Sequence, residues 1–482
     1  MIVFIVQRRE PELVAPAKPT PHEFKYLSNI DDQVTNSFYR NEPAMSGQDP
    51  VKVIRKAIAE TLVFYYPFAG RLKKGPGQKL VVDCTGEGII SSVMHALHPP
   101  FPCLDELLYD VPGSSAILGC PLLLIQVTRL MCGGFIFALR LNHTMSDAIG
   151  LVQFMSAVSE IARGAQVPSV SPVWERELLH PRNPPRVTIL HGQNAEMPNT
   201  KGTLIPHDNR KRSSAALVRS RHDLAHWKCI GHVSRWTSNG QDQVYHTQVQ
   251  QTIPVSHDNM VLRSFFFRTT DVAALWKHVP PHLRTCSTFD VLTTCLWRCC
   301  TIAIGPNPEE DVLLICIVNA RAKFQQPLPV GYYGNLIAFS VAISSAAKLC
   351  KNPIGYALEL VKKAKAVVTE EYMRSLVDLL VFKGSPSITT VKTFGISDLR
   401  HAGFREVDFG WGQAMYGGPA LGKEGNCYIS FRNHKGEDGI VVPFYLTGPA
   451  MERLEKEIKS MIKDPPVDGF ENTNTTFKRS NM

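Results

Sequence analysis

An apolar run, a polar turn and a helical repeat follow one another near the middle of the first half of the chain. Residues 135–141 are almost entirely apolar, as expected of a buried strand. The stretch 142–146 is polar and turn-like, and apolar residues then recur at helical spacing, at Ala148, Leu151, Val152, Met155, Val158 and Ile161. The pattern predicts strand, turn and helix, with Ser146 or Asp147 as the helix cap and His143 at the end of the strand.

Apolar repeats on both sides of this unit predict further elements. A helix is expected to start at Asp49 and Pro50, which fit a cap and a first-turn proline. Residues 121–129 are expected to form a strand that makes a hairpin with the central one. Beyond a proline-rich stretch, strand-like and helical segments resume and include a long amphipathic helix over 356–380. Because helices and strands alternate on both sides of that stretch, the predicted fold class is α/β with two lobes.

These patterns divide the chain into four parts. They are a first lobe over 1–183, a crossover linker over 184–260, a second lobe over 261–463 and a polar tail over 464–482. The tail is expected to fray because it is polar and terminal. No apolar run reaches the roughly 18 residues that a membrane span needs, so no span is predicted.

Residues 210–256 differ from the rest of the linker. They show no sustained period of 2 or 3.6, and His-Asp-Asn triplets flank them at 207–209 and 257–259. We interpret the segment as a disordered insertion that was not selected for packing; an ordinary family-specific loop is the alternative. Its seven Lys and Arg against two Asp supply five of the nine net positive charges. The remaining four do not require a polyanionic partner, so nucleic-acid binding through this segment is the least favoured hypothesis.

The composition indicates a globular protein in a reducing compartment. Of 482 residues, 44% are hydrophobic and 20% charged, which allows a sizeable core. None of the 12 cysteines forms a C-x-x-C pair, and most lie in apolar surroundings, so free buried thiols are expected rather than a metal site. The start of the chain lacks the features of a signal peptide. A cytoplasmic location is therefore expected.

His143 and Asp147 form an H-x-x-x-D pattern, which is weak evidence when taken alone. His434 and Asp438 form a second copy in a charged, turn-like run, and chance spacing is the alternative for either copy. The first copy gains weight from its setting, because a histidine between an apolar strand and a helix is partly shielded from water. A neutral imidazole near pH 7 can then accept a proton from an alcohol or an amine.

A second stretch, Asp408-Phe-Gly-Trp-Gly412, combines two glycines with a tryptophan. Glycines permit tight turns, and indole is a rigid plate with one N–H donor, so by itself the stretch would be a structural turn. Together with the H-x-x-x-D pattern, in this order and separation, it resembles the BAHD family of plant acyl-CoA-dependent acyltransferases. The resemblance extends through residues 66–72, 287–292, 319–321 and 331–335. Within the family, the chain is most similar to the alcohol acyltransferases of ripening fruit and to benzyl alcohol benzoyltransferases.

This resemblance implies a chloramphenicol-acetyltransferase-like fold, in which a solvent channel passes between two lobes and His143 lies midway. Acyl-CoA would enter from one face and a small alcohol from the other, with no permanently bound cofactor and a monomeric enzyme. His143 would take the hydroxyl proton as the oxygen attacks the thioester, and would then protonate the departing thiol. No covalent enzyme intermediate is needed, because the thioester is already activated and both substrates are held together.

The resemblance also assigns roles to other residues. Asp147 would point away from the substrate and pair with Arg321, while Trp411 would lie near the tetrahedral intermediate and Asp408 would preserve the shape of the channel. Acyl-CoA binding would fall to Ser287, Thr288, Asn319 and Arg321.

Two alternatives follow from departures in the sequence. A condensation domain would have histidine and glycine where Asn142 and Ala148 stand, which disfavours that activity. An inactive homologue is the other alternative, because the insertion is accompanied by segments shorter than the family pattern, near residues 33–38, over 89–99 and after 418. If active, the enzyme is expected to make volatile aliphatic or benzyl esters from acetyl-CoA or another acyl-CoA.

Overall fold

The computed structural model describes residues 7–27, 34–39, 48–96, 118–131, 133–189, 260–383, 392–419, 426–433 and 435–463. The predicted insertion at 210–256, the polar tail and His434 lie outside these residues.

The described residues form sixteen strands and eight α-helices. The strands are β1 (Gln7–Arg8), β2 (Glu12–Val14), β3 (Phe24–Tyr26), β4 (Val34–Tyr39), β5 (Arg71–Lys74), β6 (Leu80–Asp83), β7 (Ile89–Ala96), β8 (Leu123–Leu130), β9 (Phe135–Leu141), β10 (Met260–Arg268), β11 (Asp311–Asn319), β12 (Ile337–Ser345), β13 (Thr393–Asp398), β14 (Tyr416–Gly418), β15 (Asn426–Arg432) and β16 (Asp438–Thr447). The helices are α1 (Pro50–Phe64), α2 (Ala148–Ala162), α3 (Thr269–Trp276), α4 (Thr288–Ile304), α5 (Ala346–Lys351), α6 (Ile354–Ala366), α7 (Glu370–Lys383) and α8 (Gly448–Ile462).

Three sheets organise these elements. The first has seven strands in the order β1-β7-β8-β9-β4-β14, with β2 also paired to β7, and a small sheet has the order β3-β6-β5. The third has six strands in the order β10-β16-β15-β13-β11-β12. Its two internal pairs β11–β13 and β13–β15 are parallel, and the remaining neighbours are antiparallel. The predicted mixture of helices and sheets in two lobes is confirmed.

Each lobe has its own hydrophobic core. In the first lobe, α1 and α2 bury Ile58, Leu62 and Phe154 with the apolar side chains of β9. In the second, α4 buries Trp297 and Leu296 among the helices and the six-stranded sheet. All residues of β9 except Arg140 are buried, which explains why this strand reads as a continuous apolar run.

The helix starts predicted from caps are present. Asp49 caps α1 by accepting a hydrogen bond from the Val51 amide at 3.1 Å, and Asp147 caps α2. The single helix predicted over 356–380 is instead two helices, α6 and α7. The hydroxyl of Thr369 accepts the Tyr372 amide at 3.1 Å, so the second helix has its own start inside the apolar repeat.

The lobes are not simple consecutive segments of the chain. Strand β14, which falls within the predicted second lobe 261–463, pairs with β4 and completes the first sheet. The segment before it also belongs to the first core, where Phe404, Phe409 and Trp411 are buried. The predicted boundary is corrected in this region, because pairing with a strand edge distant in sequence leaves no local signal.

None of the helices in the described part of the chain is both long and apolar enough to cross a bilayer.

Candidate functional site: a buried histidine loop held by both lobes

His143 lies in the tight loop that joins β9 to α2. The loop begins where the Asn142 amide donates to the Leu122 carbonyl at 2.8 Å, and it turns where the Met145 amide donates to the Asn142 carbonyl at 2.9 Å. The His143 side chain is only 2% exposed. Burial penalises the charged imidazolium and holds the pKa of His143 well below its usual value. The imidazole is therefore neutral at physiological pH and able to accept a proton.

Asp147 is occupied by structural hydrogen bonds on both carboxylate oxygens. One oxygen, Oδ1, accepts the Ile149 and Gly150 amides at 3.1 Å each, which caps α2. The other, Oδ2, accepts the Leu336 amide at 2.9 Å. Arg321 adds a two-pronged ion pair, from Nη1 to Oδ2 at 2.7 Å and from Nη2 to Oδ1 at 2.9 Å. The structure thus shows the Asp147–Arg321 pair that the resemblance implied, and it commits the carboxylate to holding the loop.

Residues 333–336, which lead into β12, wrap around the histidine loop. The Ser146 hydroxyl donates to the Tyr333 carbonyl at 2.7 Å, and the Asn335 side-chain amide donates to the His143 carbonyl at 2.6 Å. Arg321 also donates to the Gly334 carbonyl at 2.7 Å. The second lobe therefore fixes the backbone of the loop at several points.

The close approach of this segment to α2 depends on Gly150. A Cβ atom at Gly150 would lie 2.1 Å from the Tyr333 carbonyl oxygen and 2.4 Å from the Ser146 hydroxyl. Such distances are far below van der Waals contact, so a side chain here would push residue 333 away from the helix. Packing thus explains why the third residue of α2 is a glycine.

Arg176 contacts the loop from the end of the first lobe. Its Nη2 donates to the Met145 carbonyl at 2.6 Å, and its side chain is fully buried. Neither Arg176 nor Asn335 was assigned a role from the sequence. Asn335 lies in a stretch that carried the family resemblance, which is the signal that could have found it. Arg176 follows Trp174 and Glu175 in a polar region and has no sequence signal of burial.

Trp411 and Asp408 lie away from the histidine loop. The Trp411 ring packs edge-on against Phe135, with 5.3 Å between ring centroids. Phe135 begins β9 and His143 follows its end, and at about 3.3 Å per residue the strand spans roughly 20 Å. Asp408 accepts the Gly410 amide at 2.7 Å and Arg163 donates to its carbonyl. The resemblance had led us to expect Trp411 near the reacting atoms. In the structure, Trp411 lies instead at the opposite end of β9 from His143.

The predicted acyl-CoA residues fall in two places. Asn319 and Arg321 lie beside Asp147, and the Asn319 side chain accepts the Arg321 amide at 3.0 Å. Ser287 and Thr288 instead mark the N-terminus of the 17-residue helix α4, where Ser287 caps the helix.

Basic side chains lie close to this helix start. Lys365 pairs with Asp290 at 2.6 Å, and Lys362 lies near enough to Cys286 to oppose part of the rise in pKa that burial causes there. Burial opposes ionisation of Asp290, but hydrogen bonds from Lys365 and Ser287 outweigh it and lower the pKa of Asp290. Asp290 neutralises Lys365, which leaves Lys362 as a second positive charge near this helix N-terminus. Such a position is suited to an anionic group.

No cluster of three or more His, Cys, Asp or Glu side chains able to hold a metal ion occurs in the described ranges. Eight of the nine cysteines described are buried. Burial raises the pKa of the thiols of Cys295, Cys300 and Cys316 to about 12, so these groups are unreactive packing residues.

Comparison with solved structures identifies the fold. The chain superposes on vinorine synthase with a TM-score of 0.64 and 16% identity, covering 95% of this chain and 99% of that one. It superposes on TRI101 of F. graminearum, solved with coenzyme A and deoxynivalenol, with a TM-score of 0.60 and 13% identity over 90% and 97% of the two chains. The fold is the chloramphenicol-acetyltransferase-like fold of acyltransferases.

Sequence comparison identifies the family. The sequence model of the Transferase family matches residues 4–461. The chain is 57% identical to benzyl alcohol O-benzoyltransferase of Petunia hybrida, over 96% of this chain and 95% of that protein. It is 45% identical to alcohol acyl transferase 1, allele GSa, of Malus domestica, over 100% and 99%. The chain therefore belongs to this family, which is the BAHD family that the two motifs resemble, and it is an acyltransferase.

Proposed function

We propose that this protein transfers an acyl group from acyl-CoA to a small alcohol and that His143 is the general base. The observation that carries the proposal is the buried, neutral imidazole of His143 on a loop that both lobes hold. The similar proteins from Petunia hybrida and Malus domestica are named for acyl transfer to benzyl alcohol and to alcohols, which supports an alcohol as the acceptor. We propose benzyl alcohol and short aliphatic alcohols as the acceptors to test first.

The proposed reaction needs one base and no covalent enzyme intermediate. Neutral His143 takes the hydroxyl proton as the alcohol oxygen attacks the thioester carbon. When the resulting tetrahedral intermediate collapses, the carbon–sulfur bond breaks and the imidazolium returns the proton to the departing thiolate. The products are the ester and free coenzyme A, and His143 is again neutral. Asp147 supports this step by positioning the loop, since its oxygens are occupied by Arg321 and backbone amides.

We propose Thr288 and Lys362 as acyl-CoA contacts, while Ser287, whose hydroxyl and amide donate to the Asp290 carboxylate, is assigned to capping α4. The support is the capped N-terminus of α4 and the lysines beside it, which suit a phosphate group. Arg321 is reassigned from acyl-CoA binding to the support of Asp147, because both its Nη atoms donate to that carboxylate, and Asn319 is reassigned to the support of Arg321, whose backbone amide it accepts. The solved relative with bound coenzyme A supports a coenzyme A site in this fold.

We propose that Asp408 and Trp411 stabilise the fold and do not contact the reacting atoms. Asp408 fixes the turn by accepting the Gly410 amide, and Trp411 closes the first core against Phe135. Loss of either side chain would loosen the packing of the segment that supplies β14.

The experiment is an ester-forming assay with purified full-length protein. Benzyl alcohol and a series of aliphatic alcohols are each paired with acetyl-CoA and benzoyl-CoA, and both the ester and the released thiol are measured. Benzylamine in place of benzyl alcohol tests amide formation. Ester formation that requires His143 supports the proposal. A folded protein that forms no ester with any pair would overturn it and favour the inactive homologue.

We further propose a monomer in the cytoplasm. The burial of eight of the nine described cysteines as packing thiols is consistent with a reducing compartment. Light scattering after gel filtration tests the monomer, and imaging of a tagged chain tests the location.

A further inference from the structure

Arg176 is a fully buried arginine with an unusual environment. It has 0% exposure and begins the short turn Arg176–Leu179. The residue before it, Glu175, has a φ of 25°, which is uncommon for a residue other than glycine. Arginine is almost never fully buried unless an acid pairs with it, because removing its charge from water is costly. A buried arginine on a locally strained backbone therefore needs an explanation.

Aromatic rings rather than carboxylates surround the Arg176 guanidinium. Its central carbon lies 4.4 Å from the ring centroid of Trp174, 5.1 Å from that of Tyr333 and 5.4 Å from that of Tyr332. Among the described residues, no carboxylate lies within ion-pair distance of Arg176, and its Nε and Nη1 atoms make no hydrogen bond. The strong polar contact is the bond from Nη2 to the Met145 carbonyl at 2.6 Å.

The flat shape of the Arg176 guanidinium allows it to pack closely on the backbone of residues 333–336. A Cβ atom at Gly334 would lie 1.3 Å from Nη1, so Arg176 lies directly on the backbone of residues 333–336. Trp174 is itself held by a bond from its indole nitrogen to the Tyr26 carbonyl at 3.1 Å. A flat cation can stack between these groups while one N–H reaches Met145, and a lysine ammonium cannot do both.

We propose that Arg176 is a positioning residue for the acyl transfer. By fixing the Met145 carbonyl, it holds the loop that carries His143 at a second point, separate from the ion pair of the Asp147 carboxylate with Arg321. This inference rests on the proposed function, in which His143 is the general base. A shift of the loop by about 1 Å would be enough to cost a large part of the rate, since the base must meet the hydroxyl in one geometry.

Stability alone does not account for such a residue. Replacing a buried charge with an apolar side chain of similar volume is often neutral or stabilising. Arg176→Met should therefore fold, and a loss of rate in a folded protein would separate positioning from stability. Arg298 provides the matched control, because its guanidinium also donates to backbone carbonyls, those of Cys350 and Asn352, in the second lobe.

The experiment compares the wild type, Arg176→Met, Arg176→Lys, Arg298→Met and His143→Ala. Melting temperature, kcat, KM for both substrates and the pH dependence of kcat/KM are measured for each. Arg176→Met is expected to melt within a few degrees of the wild type and to lose 10-fold to 100-fold in kcat with little change in KM, as about 1.4 kcal/mol corresponds to each factor of ten. Arg298→Met should keep the wild-type kcat.

The pH profile supplies the signature of positioning. When the loop loosens and water reaches His143, its pKa should rise toward the ordinary value, so the acidic limb of kcat/KM should move to higher pH in Arg176→Met. A variant that is only partly folded would lower the whole profile without moving the limb. Arg176→Lys can keep one hydrogen bond but not the stacking. Its acidic limb should therefore lie between those of the wild type and Arg176→Met.

The outcomes distinguish this inference from the proposed function. If wild-type turnover does not depend on His143, the proposed function fails. If turnover depends on His143 while Arg176→Met retains the wild-type kcat and pH limb, the role of Arg176 is overturned. Failure of both Arg176 variants to fold would assign the residue to stability and would also overturn the inference.

Discussion

Asp147 and Arg321, which are 174 residues apart, meet in a two-pronged ion pair across the two lobes. The pair is 3% exposed on the carboxylate side and 19% on the guanidinium side. The histidine loop therefore depends on a residue that the chain supplies only after β11. The site is therefore complete only when the two lobes are in contact.

Asp147→Asn should destabilise the fold more than it alters the chemical step. It removes one member of a mostly buried ion pair and leaves the Arg321 charge uncompensated, which costs about 3–5 kcal/mol. Urea unfolding measures the change. Asp438→Asn is the control, because Asp438 belongs to the second H-x-x-x-D copy and its pair with Arg432 is exposed. Equal stability of the two variants would contradict the role assigned to Asp147.

His143→Ala should lower kcat by about a hundredfold to ten-thousandfold, as expected for loss of a general base, while the melting temperature stays near that of the wild type. The solvent-exposed His282 is the control, and His282→Ala should leave turnover unchanged. His434→Ala, in the second motif copy, should also have no effect. Similar losses in all three variants would show that the assignment of His143 is wrong.

The rate should be insensitive to pH around neutrality. Burial lowers the folded-state pKa of His143, so the base stays neutral until the pH falls well below 6.5. Stability should also fall on the acidic side. The contribution of neutral His143 to the free energy of unfolding is fully present above the pKa of the unfolded state, and it is lost as the pH falls from there through the pKa of the folded state. A pH profile of kcat/KM with its acidic limb at or above 6.5 would show that the imidazole is solvated in the working enzyme.

Gly150→Ala should impair both stability and turnover. The added methyl group would overlap the Tyr333 carbonyl oxygen and force residues 333–336 away from α2. Overpacking of this kind costs about 1–3 kcal/mol. Gly395→Ala is the matched control, because no atom lies within 4 Å of a Cβ built there. Thermal unfolding and the ester assay on both variants provide the check, and equal behaviour would show that the close approach is not required.

Deletion of residues 210–256 should leave the fold intact. A segment without a hydrophobic period cannot bury a face, and a shorter connection costs little, because loop-closure entropy changes by only about 0.6 kcal/mol per doubling of length. Limited proteolysis of the intact protein should cut within this segment first, and the shortened protein should melt at the same temperature or higher. A marked fall in melting temperature would show that the segment is packed.

Local features of the fold were predictable from the sequence. The caps of α1 and α2 follow from Asp49 and Asp147, because a cap acts through its own neighbouring amides. The strand before His143 is equally clear, since burial on both faces leaves a continuous apolar run. The break between α6 and α7 was missed, because the apolar repeat continues across Thr369 while the chain restarts there.

Contacts between distant segments were predictable only in part. The Asp147–Arg321 pair came from the family resemblance, and its geometry agrees. The bond from Arg176 to the loop backbone could not be predicted, because a backbone carbonyl has no sequence signature, and only the family resemblance offered a signal for Asn335. Nothing local indicated that Trp411 packs against Phe135, because the two residues are far apart in the sequence.

The position of β14 has a consequence for biosynthesis. Strand β4 lies inside the first sheet only because Tyr416–Gly418 covers its outer edge. At about 5–20 residues per second, a ribosome needs roughly 20 to 80 s to pass from residue 39 to residue 418. Throughout that interval the nascent first lobe carries an unsatisfied strand edge, the kind of surface that pairs with other chains. The topology therefore leaves the growing polypeptide open to pairing with other chains at β4 until residue 418 has been made.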